Sequence, residues 1–102
     1  MYLVQLLLPL YDNDQRALPK ALFGSVSEEL IEQFGGLTTY SRAPASGYWL
    51  EDGDNPVHDE SVVYEVMTEA LDRKWWAEYR AALECRFRQK ALVVRAHSLT
   101  LL

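Results

Sequence analysis

Cysteine is nearly absent: Cys85 is the single thiol in 102 residues. One thiol makes neither an internal disulfide nor a cysteine-rich metal site, so nothing here demands an oxidising compartment. Basic residues are the minority, ten against fifteen acidic, and the formal net charge is −5. Nucleic-acid binding usually rests on a basic footprint. Seven of the ten basic residues lie between Arg73 and Arg95, but Glu78 and Glu84 interleave them, so the stretch reads as mixed solvated surface. No nucleic-acid partner is expected. Long hydrophobic runs are also missing. Met1 to Leu10 is apolar, yet it reaches Tyr11 and Asp12 after ten residues, has no basic residues ahead of it and shows no cleavage pattern. That is too short for a membrane span and unlike a signal peptide, so the expectation is a cytoplasmic chain with no membrane partner. There is no glycine-rich phosphate loop, nucleophile elbow, paired-histidine motif, internal repeat or low-complexity tract. No short motif therefore assigns a chemistry, and no cofactor is expected.

What is present is an ordinary globular composition, 49% apolar and 25% charged, on a chain with room for one domain spanning residues 1–102. Tyr2 to Leu10 (YLVQLLLPL) is nine residues of mostly apolar side chains, the pattern of a buried central strand. Leu18-Pro19 announces a helix, with proline at its first position. Leu22, Val26, Leu30 and Phe34 recur at four-residue steps with Phe23 and Ile31 beside them, and Gly35-Gly36 ends it. Residues 37–67 read as a long broken hairpin: LTTYSR, an APASG interruption, Tyr48-Trp49-Leu50, a dense turn signal over EDGDNP, then the β-branched run SVVYEVM at Ser61–Met67. A second helix starts at the capping residue Asp72, buries Trp76, Tyr79, Leu83 and Phe87, and is expected to run to about Gln89. Leu92 to Leu101 closes the chain as a strand.

The order β-α-β-β-α-β is the split-βαβ, ferredoxin-like pattern of an α+β protein. It predicts a four-stranded antiparallel sheet in spatial order 4-1-3-2, with two helices on one face. The stretch Phe34 to Trp49, FGGLTTYSRAPASGYW, resembles that of small bacterial proteins of unknown function with a ferredoxin-like core. The architecture is also similar to the dimeric α/β-barrel group, in which two protomers pack sheet against sheet and some members are cofactor-independent monooxygenases or haem-acting enzymes. That resemblance implies a fold and a homodimer. No catalytic motif of the group carries over to a residue of this chain.

Helices on one face leave the other to be solvated, paired or lined by a ligand. Alternation puts Leu3, Gln5 and Leu7 of strand one, Val63, Glu65 and Met67 of strand three, and Val93, Arg95, His97 and Leu99 of strand four on that open face. A contiguous apolar patch of this kind marks an interface or a groove. The polar members must find partners. A Glu65–Gln5–Arg95 network, or pairing across a dimer, would satisfy them, and Arg95 is long enough to reach across strand one to Glu65. His97 and Glu65 are candidates for an acid–base pair, against the plainer role of satisfied interface residues. Arg95 is a candidate to hold an anionic ligand. Tyr40, Arg42, Tyr48 and Trp49 flank the APASG break and are candidates for a pocket mouth or for a dimer seam.

Asp52, Asp54, His58 and Asp59 raise a metal question, but the calcium-loop spacing requires glutamate at its twelfth position, where Val63 stands. The Asp12-Asn13-Asp14 run fails likewise, with Phe23 in that place. No metal is expected. Cys85 falls opposite the stripe of helix two and lacks the base a catalytic thiolate needs. Two functional readings remain. One is a small homodimeric ligand-binding or interaction module, joined through the open sheet face and with a possible small-molecule ligand. The other is a cofactor-independent enzyme of the dimeric α/β-barrel kind, monooxygenase-like, acting on a small apolar or aromatic metabolite.

Overall fold

The computed structural model describes residues 1–50 and 56–102. The elements are β1 (Tyr2–Pro9), α1 (Lys20–Phe34), β2 (Thr38–Leu50), β3 (Pro56–Thr68), α2 (Arg73–Arg86) and β4 (Val94–Ser98). The sheet runs β2-β3-β1-β4 and every pairing in it is antiparallel. This is the ferredoxin-like α+β arrangement, in the strand order read from the sequence.

The alternation in β1 sets the layers. Val4, Leu6 and Leu8 are buried with Val62, Tyr64 and Val66 of β3, and the same layer takes Val26 and Leu30 from α1, Trp76 and Leu83 from α2, and Phe87 just beyond the end of α2. Each such side chain removed from water contributes about 1.5–3 kcal/mol. Ile31, placed beside the α1 stripe by its spacing, is half exposed: the stripe narrows to Val26 and Leu30 at full burial, with Leu22, Phe23 and Phe34 at its border. Phe34 stacks on Trp76 at 5.1 Å and meets Trp75 edge-on at 5.3 Å. Across the same helix pair Glu29 accepts from the Tyr79 hydroxyl (2.9 Å) and from Arg86 Nη1 (2.6 Å). The Arg86 guanidinium holds the Glu29 carboxyl below the ordinary carboxylate range. Burial first, and the Glu29 carboxylate second, push the Tyr79 phenol above its usual value.

The ends of the elements follow local chemistry. Pro19 sits just outside α1 in extended conformation and supplies no side-chain cap, so it precedes the first helical residue rather than being it. Gly35 takes φ +79° and its N–H closes on the Ile31 carbonyl at 2.7 Å, a left-handed cap that favours glycine. Asp72 Oδ1 accepts from the Trp75 N–H at 3.0 Å, as its cap reading required. Helix α2 stops at Arg86, short of Gln89, because Arg88 turns to φ +53°. Strand β4 is five residues, not ten. Leu92 leaves the sheet to bury itself, with its N–H held by Glu84 Oε2 at 2.9 Å.

The 37–67 hairpin is less broken than its sequence. Strand β2 is continuous over Thr38–Leu50, and the APASG break is absorbed as a register shift. Between the pairs Tyr40↔Val63 and Ala45↔Ser61, four residues of β2 face one of β3. Pro44 falls inside this bulge on an edge strand, where a missing N–H disrupts no ladder. The EDGDNP turn signal, with Asp52 and Asp54, lies over residues 51–55, outside those described, up to the start of β3.

Candidate functional site

The face of the sheet turned away from the helices is organised in transverse rows, because directly paired residues share a face. One row is Arg95–Gln5–Glu65–Thr38, one residue from each strand. On one side lies His97–Leu3–Met67; on the other lies Leu7–Val63–Tyr40, with Val93 joined by the Leu7 N–H to Val93 carbonyl bond of 3.0 Å. Farther out come Gly47 opposite Asp59 and Trp49 opposite Val57.

The polar row is connected. Gln5 Nε2 donates to Glu65 Oε2 at 2.6 Å, and Arg95 Nε donates to Gln5 Oε1 at 2.9 Å. Glutamine suits the central position because its amide carries a donor and an acceptor. The donor turns to the carboxylate and the acceptor to the guanidinium, so both charges receive hydrogen bonds without meeting. The Glu65–Gln5–Arg95 network drawn from the sequence is thus present as a relay, without the direct Glu65–Arg95 contact that the reach of Arg95 suggested. Among the described residues the ion pair within 4 Å is Arg86–Glu29, in the helix layer.

His97 and Glu65 are not brought together. They stand two strands and two residues apart, roughly 12 Å between Cα positions on ordinary sheet spacings, and Leu3 occupies the strand between them. The aromatics around the bulge also divide. Tyr40 and Trp49 lie on the open face, whereas Tyr48 points to the other side and stacks on His58 at 4.8 Å. Arg42 lies in the bulge and is exposed. Four large apolar side chains of the open face are about half exposed: Trp49 at 47%, Met67 at 50%, Val93 at 51% and Tyr40 at 55%.

Two hollows open on this face. One of about 380 Å³ is lined by Leu3, Glu65, Met67 and Tyr40 together with Gly35 and Gly36 at the end of α1. The other, about 110 Å³, is lined by Leu7, Trp49, Asp59, Gln89 and Val93. The Trp49 ring lies along Gly47, with Cζ3 3.5 Å from where a β-carbon would stand, so the indole folds back along its own strand. Asp59, weighed from the sequence only as a metal ligand, lines the second of these hollows. Burial raises its carboxyl above the ordinary value. Its signal was available: it shares the alternation of Val63 and Glu65 and faces a glycine across the hairpin.

Away from this face, a hollow of about 520 Å³ lies between Leu18 and Phe23, near the start of α1, and Ser41 of the bulge. Among the described residues no group of three His, Cys, Asp or Glu side chains is placed to hold a metal ion. Cys85 is exposed. Asp12 is spent on its own loop: Oδ1 accepts from the Asp14 and Arg16 N–H groups at 2.8 and 2.9 Å. Those bonds, Arg16's above all, hold its carboxyl below the ordinary value. No helix is long and apolar enough to cross a membrane among the residues described.

The fold and face together define a small ferredoxin-like α+β domain with an uncovered, partly polar sheet surface. No protein-family model and no curated protein matches the chain. Among solved structures it is similar to a phage SAM lyase in complex with S-methyl-5'-thioadenosine, with a TM-score of 0.62 and 14% identity over 94% of this chain and 79% of that one. A phage SAM lyase in its apo state gives a TM-score of 0.60 and 13% identity over 94% of this chain and 78% of that one. At such identity the likeness shows the fold.

Proposed function

We propose that this chain is a small ligand-binding protein acting as a homodimer, with the open sheet face as the shared surface and the Arg95–Gln5–Glu65 row as its polar anchor. The observation that carries this reading is the connected charged row set among half-exposed apolar side chains on a face no helix covers. A lone protomer leaves that surface wet, while a second copy or a ligand with an apolar body and a polar head covers it. The architecture agrees with the dimeric α/β-barrel group, and the phage lyase with S-methyl-5'-thioadenosine bound illustrates a protein of this fold holding a small molecule.

Light scattering at micromolar concentration tests the assembly. The expected result is a dimer that Leu7→Lys dissociates or unfolds, since a buried unpaired ammonium is strongly unfavourable. A monomeric wild-type chain overturns it. For the ligand, S-methyl-5'-thioadenosine is the first calorimetric probe, with Gln5→Leu as the variant expected to lose whatever binding the wild type shows. Asp59 favours a second reading. A carboxyl with raised proton affinity beside Trp49 in a hollow is a candidate general acid or base of a cofactor-independent enzyme acting on a small apolar or aromatic metabolite.

A further inference from the structure

One of the two edges of the sheet offers a different surface. Strand β4 pairs with β1 alone, so one side of it has no neighbour. Its register shows which backbone groups are unused. The Leu7 N–H donates to Val93, and the Leu99 N–H donates to Met1, so the odd residues of β4 make the ladder with β1. In an antiparallel ladder the even residues then turn their N–H and C=O outward. Val94, Ala96 and Ser98 therefore present a row of donors and acceptors about 6.8 Å apart, the repeat of an extended chain.

Beside that edge runs a groove of about 320 Å³ between β4 and α2, lined by Val94 and Ala96, the Trp76 ring, and Arg73, Arg80 and Arg95. No aspartate or glutamate lines it, in a chain of net charge −5. Arg73 and Arg80 are seven residues apart on α2, hence on the same helix face about 10.5 Å along its axis. Neither is in an ion pair among the described residues.

We propose that this edge binds an extended acidic peptide, which adds to β4 as a fifth strand and sets its carboxylates against Arg73 and Arg80. Backbone pairing supplies affinity in this mode and the flanking groove supplies selection. A free inorganic anion would answer the arginines but leave the outward carbonyls of Val94 and Ala96 unpaired. A second copy of this chain fits poorly. A two-fold pairing of β4 brings the same arginine-lined groove to both sides of the seam and supplies no carboxylate to it.

The test uses the full chain and two synthetic probes, acetyl-Val-Glu-Val-Glu-Val amide and its lysine counterpart, followed by amide NMR. The glutamate peptide is expected to shift and protect the Val94, Ala96 and Ser98 amides, and the lysine peptide to bind at least about tenfold more weakly. Arg80→Glu, on the exposed side of α2, should lower the affinity for the glutamate peptide about tenfold and raise that for the lysine peptide. Ala96→Pro removes an outward N–H and leaves the β1 ladder intact, so it should abolish binding; if it does not fold, Arg73→Glu serves beside Arg80→Glu. The proposal is overturned by equal binding of both peptides, by no shift with the glutamate peptide, by shifts centred on Gln5 and Glu65, or by free glutamate or phosphate reproducing the whole effect.

Discussion

Replacing Gln5 with glutamate keeps the side chain's shape and exchanges its amide nitrogen for an oxygen. In the wild type that nitrogen donates to Glu65 Oε2 at 2.6 Å. In Gln5→Glu the same contact becomes carboxylate against carboxylate. Two like charges about 4 Å apart repel by about 1 kcal/mol in water and about 4 kcal/mol at the effective dielectric of a protein surface. A charge-assisted hydrogen bond worth about 1.5–3 kcal/mol is lost as well. Against this, the new carboxylate keeps Arg95 as a partner and gains about 0–1 kcal/mol from it, because Arg95 is exposed. The expected net loss at neutral pH is between about 1.5 and about 7 kcal/mol, and even the lower end lowers Tm by roughly 6–12 °C for a domain near this size. The sign with pH follows from linkage. Crowding by Glu65 raises the folded-state pKa of the introduced carboxyl above its unfolded value of about 4.3. Below that value it is protonated in both states and donates to Glu65 much as the amide did, so stability approaches wild type. As pH rises towards the folded pKa the unfolded chain releases the proton first, and stability falls relative to wild type. Urea unfolding followed by tryptophan fluorescence at about pH 4 and about pH 7.5 reads both limbs. A variant as stable as wild type at neutral pH, or one equally weakened at both, refutes the relay.

Four further outcomes are expected. Gly35→Ala should cost about 1 kcal/mol in chemical denaturation: the position has φ +79° and open space around it, so the penalty is conformational. Leu6→Ala, at a residue of 0% exposure in the central strand, should cost about 2–5 kcal/mol and keep the urea slope. Glu29→Ala should remove about 1 kcal/mol at neutral pH by freeing Tyr79 and Arg86. Because the Glu29 pKa is depressed, that difference should disappear as pH falls below the ordinary carboxylate range. Asp59→Asn should stabilise the fold at neutral pH and leave it unchanged in acid, since the raised Asp59 pKa means that stability falls as pH climbs past the ordinary aspartate value; melting curves at the two extremes decide it.

Much of this architecture is legible in the chain because it depends on local periodicity. Period-two alternation in YLVQLLLP separates Val4, Leu6 and Leu8 from Leu3, Gln5 and Leu7, and the structure puts the first set in the core. Four-residue spacing identifies α1 and α2, and Asp72 and Gly35 mark their ends with their own chemistry. From these the element order, the strand order and the open face follow. What local pattern does not encode is offset between segments distant in sequence. The three-residue excess of β2 over β3 at the bulge reverses the parity of β2, so that even-numbered Tyr40 and odd-numbered Trp49 share the open face while Tyr48 turns to the other. The turn that follows the end of α2 is tied by the Gln89 side chain to the Tyr11 carbonyl, 78 residues away, a contact that no local pattern announces. The alignment of Gln5 between Glu65 and Arg95 was visible as a shared parity. That glutamine keeps the two charges apart rather than letting them pair was decided only when three strands met in register, because hydrogen-bond geometry is a property of positions in space and not of residue type.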